Sequence, residues 1–145
     1  MDERVARHLD GYPVIVTNPV VWGEMDAFGH VNHTVFFRYF ENSRIDYLTR
    51  VGFGDRERRD GIGPIMHSVS ARFRLPLTYP DTAWTGVRVT EILPDRVLME
   101  HRLVSETAGA VGAEGSAIVV SFDYDARQKT PLPDDVRAAI ERLQA

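Results

Sequence analysis

The chain has no cysteine among its 145 residues. That excludes disulfides, thiolate-bound zinc and a cysteine nucleophile. It also has little excess charge of either sign, with 17 Lys and Arg against 21 Asp and Glu and a formal net charge of −4. A duplex nucleic-acid binder needs a basic face, which this balance does not supply. No apolar run approaches membrane-spanning length, so neither a nucleic acid nor a membrane is expected as a partner. The opening MDERVARHLDG is charged and lacks an apolar centre. It does not read as a secretory signal, and a cytoplasmic location is expected.

What is present suits one globular domain over residues 1–145: 43% hydrophobic and 26% charged residues. No internal repeat or low-complexity segment interrupts it. The densest chemistry lies in Trp22–Val51, WGEMDAFGHVNHTVFFRYFENSRIDYLTRV. It reads as a strand end, an acidic turn and one long aromatic helix. At 100° per residue, Phe36, Phe37, Tyr39, Phe40, Tyr47, Leu48 and Val51 share an arc of about half the circumference. Ser43 and Arg44 are the polar residues inside it, while Arg38, Glu41, Asn42 and Asp46 fall outside. An arc that wide predicts a helix that other elements wrap around. Ser43 near its centre would let a facing backbone come close. The aromatic stripe reads as core, with its first turn bordering a pocket.

The turn before this helix holds Glu24, Asp26, His30, Asn32 and His33, and Gly29 is free to take unusual dihedrals. Asn32 is a plausible N-cap for a helix starting near His33. The free N–H groups of the first turn would then face the acidic turn at the positive end of the helix dipole. A carboxylate beside such donors can handle a proton or attack while the donors hold a developing oxyanion. A plainer alternative is that Asp26 caps the helix and the histidines are solvated. Glu24, Asp26, His30 and His33 include metal-ligand types, but their spacing does not demand a metal, and neither metal nor cofactor is expected.

Elsewhere the period is two. Tyr12–Trp22 reads as a strand, with Pro19 marking an edge or a bulge. Met1–Gly11 reads as a frayed lead-in with a short helical turn. Gly52–Gly63 reads as a loop with room for one helical turn, its charge run Asp55–Asp60 solvated. Met66–Leu77 alternates, with Val69, Ala71, Phe73 and Leu75 on one side and Ser68, Ser70, Arg72 and Arg74 on the other. Asp81–Leu93, Arg96–Val104 and Ala113–Tyr124 follow as strands. Val97, Met99, His101 and Leu103 share one face, and His67 and His101 read as packing or surface histidines. In the last strand Ala113, Gly115 and Ala117 form a small-residue face that gives the helix room, opposite Ile118, Val120 and Phe122. Asp134–Gln144 reads as a closing helix. Short turns predict antiparallel pairing of consecutive strands, and the whole an α+β layer architecture.

Val21 to Asn32, VWGEMDAFGHVN, with Phe37 to Glu41, FRYFE, resembles the signature of hotdog-fold acyl-CoA thioesterases, closest to the 4-hydroxybenzoyl-CoA thioesterase-like branch. Ser70–Arg74, Tyr79–Asp81, Arg102–Ser105 and Phe122–Tyr124 extend the likeness over nearly the whole chain. The resemblance implies a curved antiparallel sheet around one central helix, dimers paired sheet to sheet or tetramers of them, and active sites at the dimer interface. It implies an acyl- or aroyl-CoA substrate and Asp26 as the catalytic carboxylate. Amides near Val31 to Thr34 would polarise the thioester carbonyl, so His33 and Thr34 join Asp26 in the expected catalytic set. Glu24, Gly29, His30, Val31, Asn32 and Phe36 are expected around the substrate, with Arg72 and Arg74 meeting coenzyme A phosphates. Where relatives often read His-Val-Asn-Asn, this chain reads His30-Val31-Asn32-His33, so His33 stands at the second asparagine near the acyl pocket. Two other readings remain: a hydratase or dehydratase of the same fold, and a non-catalytic acyl-CoA-binding protein.

Overall fold

A computed structural model describes residues 1–145. In chain order the elements are α1 (Glu3–Ala6), β1 (Val14–Pro19), a 3-10 turn (Trp22–Glu24), α2 (His33–Arg50), α3 (Glu57–Asp60), β2 (Ile62–Phe73), β3 (Thr82–Ile92), β4 (Arg96–Ser105), β5 (Ala110–Asp123), β6 (Gln128–Lys129) and α4 (Asp134–Gln144). The strands form one antiparallel sheet in the order β1-β3-β4-β5-β2, with β6 added to β5. The sheet curves around α2, which lies against β1, β3 and β4. This is the α+β hotdog architecture expected from the sequence. No helix is long and apolar enough to cross a membrane.

The wide arc on α2 is buried as its period requires. Phe36, Tyr39, Phe40, Ser43, Arg44, Tyr47 and Leu48 all lie inside. The first half of the helix packs Phe36, Tyr39 and Phe40 with Val31, Leu77, Leu103 and Ala113. The second half packs Tyr47, Leu48 and Val51 with Val87, Met99 and Val119, closed from below by Val136 and Ile140 of α4. Each such side chain contributes about 1.5–3 kcal/mol through burial. The small-residue face of β5 makes the fit possible. A Cβ on Gly115 would stand 2.7 Å from the Phe40 ring. Ser43 spends its hydroxyl on the Phe40 carbonyl at 2.7 Å, so no polar atom is stranded against the sheet.

Several expectations are corrected. The first strand stops at Pro19, which cannot donate to the ladder, and a 3-10 turn follows at Trp22. Pro19 does lie on an edge strand. The lead-in is not frayed: Val5 and Leu9 are buried with Tyr12 and Val104 on the outer face of the sheet. β2 begins at Ile62 rather than Met66. Gly61 ends α3 at φ +78°, and Asp60 accepts the Ile62 N–H at 3.1 Å. β2 also ends at Phe73, and it pairs with β5 instead of its sequence neighbour β3. Residues 74–81 carry the chain from one edge toward the other, held by buried Leu77, whose carbonyl accepts the Val31 N–H at 2.8 Å. Within 55–60, Arg56 is fastened between Asp60 at 2.6 Å and Asp135 at 2.8 Å. Those carboxylates hold its charge in place, and it in turn lowers both of their pKa values.

Candidate active site at the start of the central helix

Asn32 caps α2. Its Oδ1 accepts the Thr34 N–H at 3.0 Å and the Thr34 hydroxyl at 2.7 Å. Asp26 is therefore not the cap. Its carboxylate accepts the Phe28 N–H at 2.9 Å, its N–H donates to the His30 carbonyl at 2.8 Å, and its carbonyl accepts from Gly29 at 3.0 Å. Gly29 takes φ +78°, a value suited to glycine, and so lets this turn close. Met25 and Val31 pair across it as an isolated bridge. The result is a tight loop that presents a half-buried Asp26 beside the first turn of α2.

The amides expected to serve as donors are mostly taken. Val31 N–H goes to Leu77, Asn32 N–H to the Glu24 carbonyl at 3.0 Å, and Thr34 N–H to Asn32. Of the four, His33 N–H has no protein partner. A helix N-terminus leaves its first amides unpaired, and here the Asn32 cap and the carbonyls of Leu77 and Glu24 take all of the four but this one. The Thr34 hydroxyl is likewise occupied by Asn32.

Two cavities flank this point. One, about 460 Å³, is lined by Asp26, His30, Val31, His33, Phe36 and Arg74, among others. Phe73 forms its apolar wall, packed edge-on by His33, Phe36 and Phe37 at centroid distances of 6.3, 5.2 and 6.3 Å. The other, about 570 Å³, lies between α2 and β2 and includes Glu24, Thr34 and Val35 at one end. Asp26 belongs to the smaller of the two. The consecutive residues His33 and Thr34 thus open onto different cavities.

Glu24 stands apart from Asp26's cavity. Its Oε1 accepts the Val21 N–H and the hydroxyl of buried Tyr39, both at 2.7 Å. Burial and this carboxylate push the Tyr39 phenol well above its usual pKa. Glu24 thereby fastens the 3-10 turn to α2. Arg72 and Arg74 also separate, because the strand ends between them at Phe73. Arg74 reaches Asp26's cavity, with its Nε 3.2 Å from Glu114. Arg72 lines a different depression on the sheet, with Tyr12 and Arg102.

The sequence reads His101 as a packing or surface histidine and Arg44 as a polar residue inside the apolar arc of α2, without joining the two. His101 is 2% exposed and faces Phe40 at 5.3 Å. Its Nε2 lies 3.5 Å from Arg44 Nη1. Burial and the nearby guanidinium pull its pKa down to about 3. Two polar residues on separate apolar faces were the available signal; their meeting spans 57 positions.

The fold and this turn define a class. Residues 20–140 match the family model of the thioesterase-like superfamily. The chain belongs to that superfamily. It is 21% identical over 127 residues to the acyl-CoA thioesterase YbgC of Haemophilus influenzae, covering 86% of this chain and 92% of that protein. A relative in Aquifex aeolicus is 32% identical over 81 residues, which is 55% of this chain and 63% of the relative, so the match spans less than two thirds of that protein. Among solved structures, a Thermus thermophilus thioesterase complexed with coenzyme A and zinc superposes with a TM-score of 0.81 at 27% identity, covering 93% of this chain and 97% of that one. The DHNA-CoA thioesterase of Staphylococcus aureus, at 20% identity and a TM-score of 0.80 over 90% of each chain, shares the fold.

Proposed function

We propose that this protein is a thioester hydrolase that splits an acyl- or aroyl-coenzyme A into the free acid and coenzyme A. One observation carries the reading: the carboxylate of Asp26 and the start of α2, with its one unpaired amide at His33, open onto a single apolar-walled cavity. The His33 N–H, with the helix dipole behind it, holds the carbonyl oxygen as it gains charge. Asp26 acts on the carbonyl carbon, by attack or by taking the proton of an attacking water, and the thiolate leaves. Thr34 and Asn32 position the amide. Arg74 stands at the cavity for a phosphate of the coenzyme.

A second copy of the chain completes the assembly along β2. That edge leaves Ile65, Met66, Val69 and Phe73 between 37% and 48% exposed, although the alternation of the strand assigns Val69 and Phe73 to an inward face. An unpaired, apolar edge strand is a template for pairing with another chain.

The test is thiol release, read with a chromogenic thiol reagent, from short, long and aromatic acyl-coenzyme A. The chain has no cysteine, so the protein is silent in the assay. Asp26→Asn is expected to keep the fold and lose turnover by at least about a hundredfold, as removal of a general base or nucleophile does. Wild-type rates in that variant would remove Asp26 from the mechanism.

A further inference from the structure

Phe28 leaves its side chain 86% exposed, more than any other large apolar residue of the chain. A lone apolar side chain at a surface needs no explanation. This one differs in two respects. Its backbone is held, so the turn cannot fold the ring away. The Phe28 N–H donates to the Asp26 carboxylate at 2.9 Å, the one protein hydrogen bond that carboxylate receives. The Asp26 N–H to the His30 carbonyl at 2.8 Å and the Gly29 N–H to the Asp26 carbonyl at 3.0 Å close the turn around it. Phe28 also lines the cavity onto which Asp26 and the His33 amide open. One residue thus holds the reacting carboxylate with its main chain and stands at the mouth of that carboxylate's own cavity with its side chain.

This cavity has a deep side and an open side. Val31 and Phe36, both buried, form its inner wall. Phe28 lies on the open side, where a Cβ on the neighbouring Gly29 would meet nothing within 4 Å. Leu75 and Pro76 complete the lining from the 74–81 crossing, which is tied down by the Arg74 and Leu75 amides on the Gly112 carbonyl at 2.8 and 3.1 Å. A coenzyme A thioester sorts itself along this gradient. Its phosphates keep their water, because burying a charge is costly, so the acyl group takes the inner wall and the coenzyme leads out past the rim. The first part of the coenzyme to cross the rim is the pantetheine arm, whose methylenes and flat amides can lie against a ring face. Building on the hydrolase reading, we infer that Phe28 is the contact for the pantetheine arm, so that this residue selects for the arm and is indifferent to the acyl group. Binding energy gathered there is remote from the reacting carbonyl and serves every acyl group alike.

The test compares kcat/KM for the S-pantetheine and S-ethyl thioesters of one acid, which present the same carbonyl and differ only in the arm, in wild type, Phe28→Ala and Phe28→Tyr. Wild type is expected to favour the pantetheine ester at least tenfold. Phe28→Ala should cut that ratio at least fivefold, through KM, and Phe28→Tyr, which keeps the ring, should restore it. A wild-type ratio of one, or a loss in Phe28→Ala that is equal for both esters, overturns the inference and leaves the hydrolase reading standing. A loss that grows with the length of the acyl group at constant arm places the ring on the acyl group and overturns it as well. So does a change of oligomeric state in Phe28→Ala with the ratio intact, because a second copy of the chain then covers the ring. If wild type releases thiol from no thioester, the hydrolase reading fails by itself. Calorimetry with S-ethyl pantetheine, a thioether that cannot be hydrolysed, then decides the role of the ring: weaker binding by Phe28→Ala supports the contact and equal binding overturns it. If Phe28→Ala does not fold, Phe28→Leu, which keeps bulk without a ring face, takes its place in the same ratio.

Discussion

The seating of α2 against the small-residue face of β5 yields the sharpest stability prediction. Gly115 on β5 faces the Phe40 ring so closely that a methyl group there would stand 2.7, 3.0 and 3.2 Å from three ring carbons. Carbon atoms meet comfortably at about 3.5–4.0 Å, so Gly115→Ala requires a movement approaching 1 Å. Phe40 is 2% exposed and its ring is backed by His101, so it has little room to retreat. Overpacking of this kind costs about 1–3 kcal/mol. An approach of 2.7 Å puts this site in the upper part of that range, and alanine recovers about 0.5–1 kcal/mol in strand propensity, which leaves a net loss of about 1–2 kcal/mol. For a chain of this size that lowers Tm by about 3–8 °C. The assay is thermal and urea unfolding followed by circular dichroism, with Phe40→Leu and the double variant measured beside it. In the double variant the added methyl meets a smaller side chain, so the two losses should add to less than their sum. A Tm for Gly115→Ala at or above wild type, or strict additivity in the cycle, would refute the close packing of α2 into the sheet.

Two further outcomes follow from the site. Tyr39→Phe removes the hydroxyl that holds Glu24 at 2.7 Å, a bond to a carboxylate that contributes about 1.5–3 kcal/mol. It should lower kcat about tenfold with KM little changed, and an unaltered kcat would show that the turn keeps its place without this tie. His101 brings an acid limb to stability. Its folded-state pKa of about 3 lies below the ordinary 6.5, so protonation favours the unfolded chain. The stability it permits is complete above about pH 6.5 and is lost as pH falls toward 3, about 2 kcal/mol between pH 6.5 and 5. His101→Gln should flatten urea midpoints over that interval, whereas a variant as acid-sensitive as wild type would assign the limb to other groups.

What was legible in the sequence was local. The arc of α2 follows from a period of 3.6, and it located even Ser43 and Arg44 inside the sheet. The Asn32 cap is an i to i+2 contact that needs nothing beyond its own turn. The small-residue face of β5 was visible as alternation and is where Phe40 seats. What was hidden depends on partners far along the chain. β2 pairs with β5 because residues 74–81 carry the chain away from it, and no alternation in 66–77 reports that route. The end of β2 at Phe73 sends Arg72 and Arg74 to separate depressions, although they share a parity in the sequence. The tie between Glu24 and Tyr39 was hidden because Tyr39 lies fifteen residues away on a helix face assigned to the core.

The hydrogen-bond accounting at the start of α2 links these levels. A helix start offers several unpaired amides, and a sequence can only say that they exist. Which of them is available depends on who else is present. Leu77 arrives on the 74–81 crossing and takes the Val31 amide. Glu24, fastened by Tyr39, brings its carbonyl to Asn32, and the Asn32 side chain takes Thr34. Each of these contacts fixes the turn that carries Asp26, and each removes a competing donor. The arrangement that holds the turn therefore leaves its free amide at His33, the donor that the hydrolase reading assigns to the thioester oxygen and the position where the chain departs in side chain from the thioesterase signature. A main-chain donor tolerates that departure, because the N–H is the same whatever residue stands there. The His33 ring is then free to build the wall with Phe73, and a change of side chain at this position alters the shape of the cavity without removing the donor.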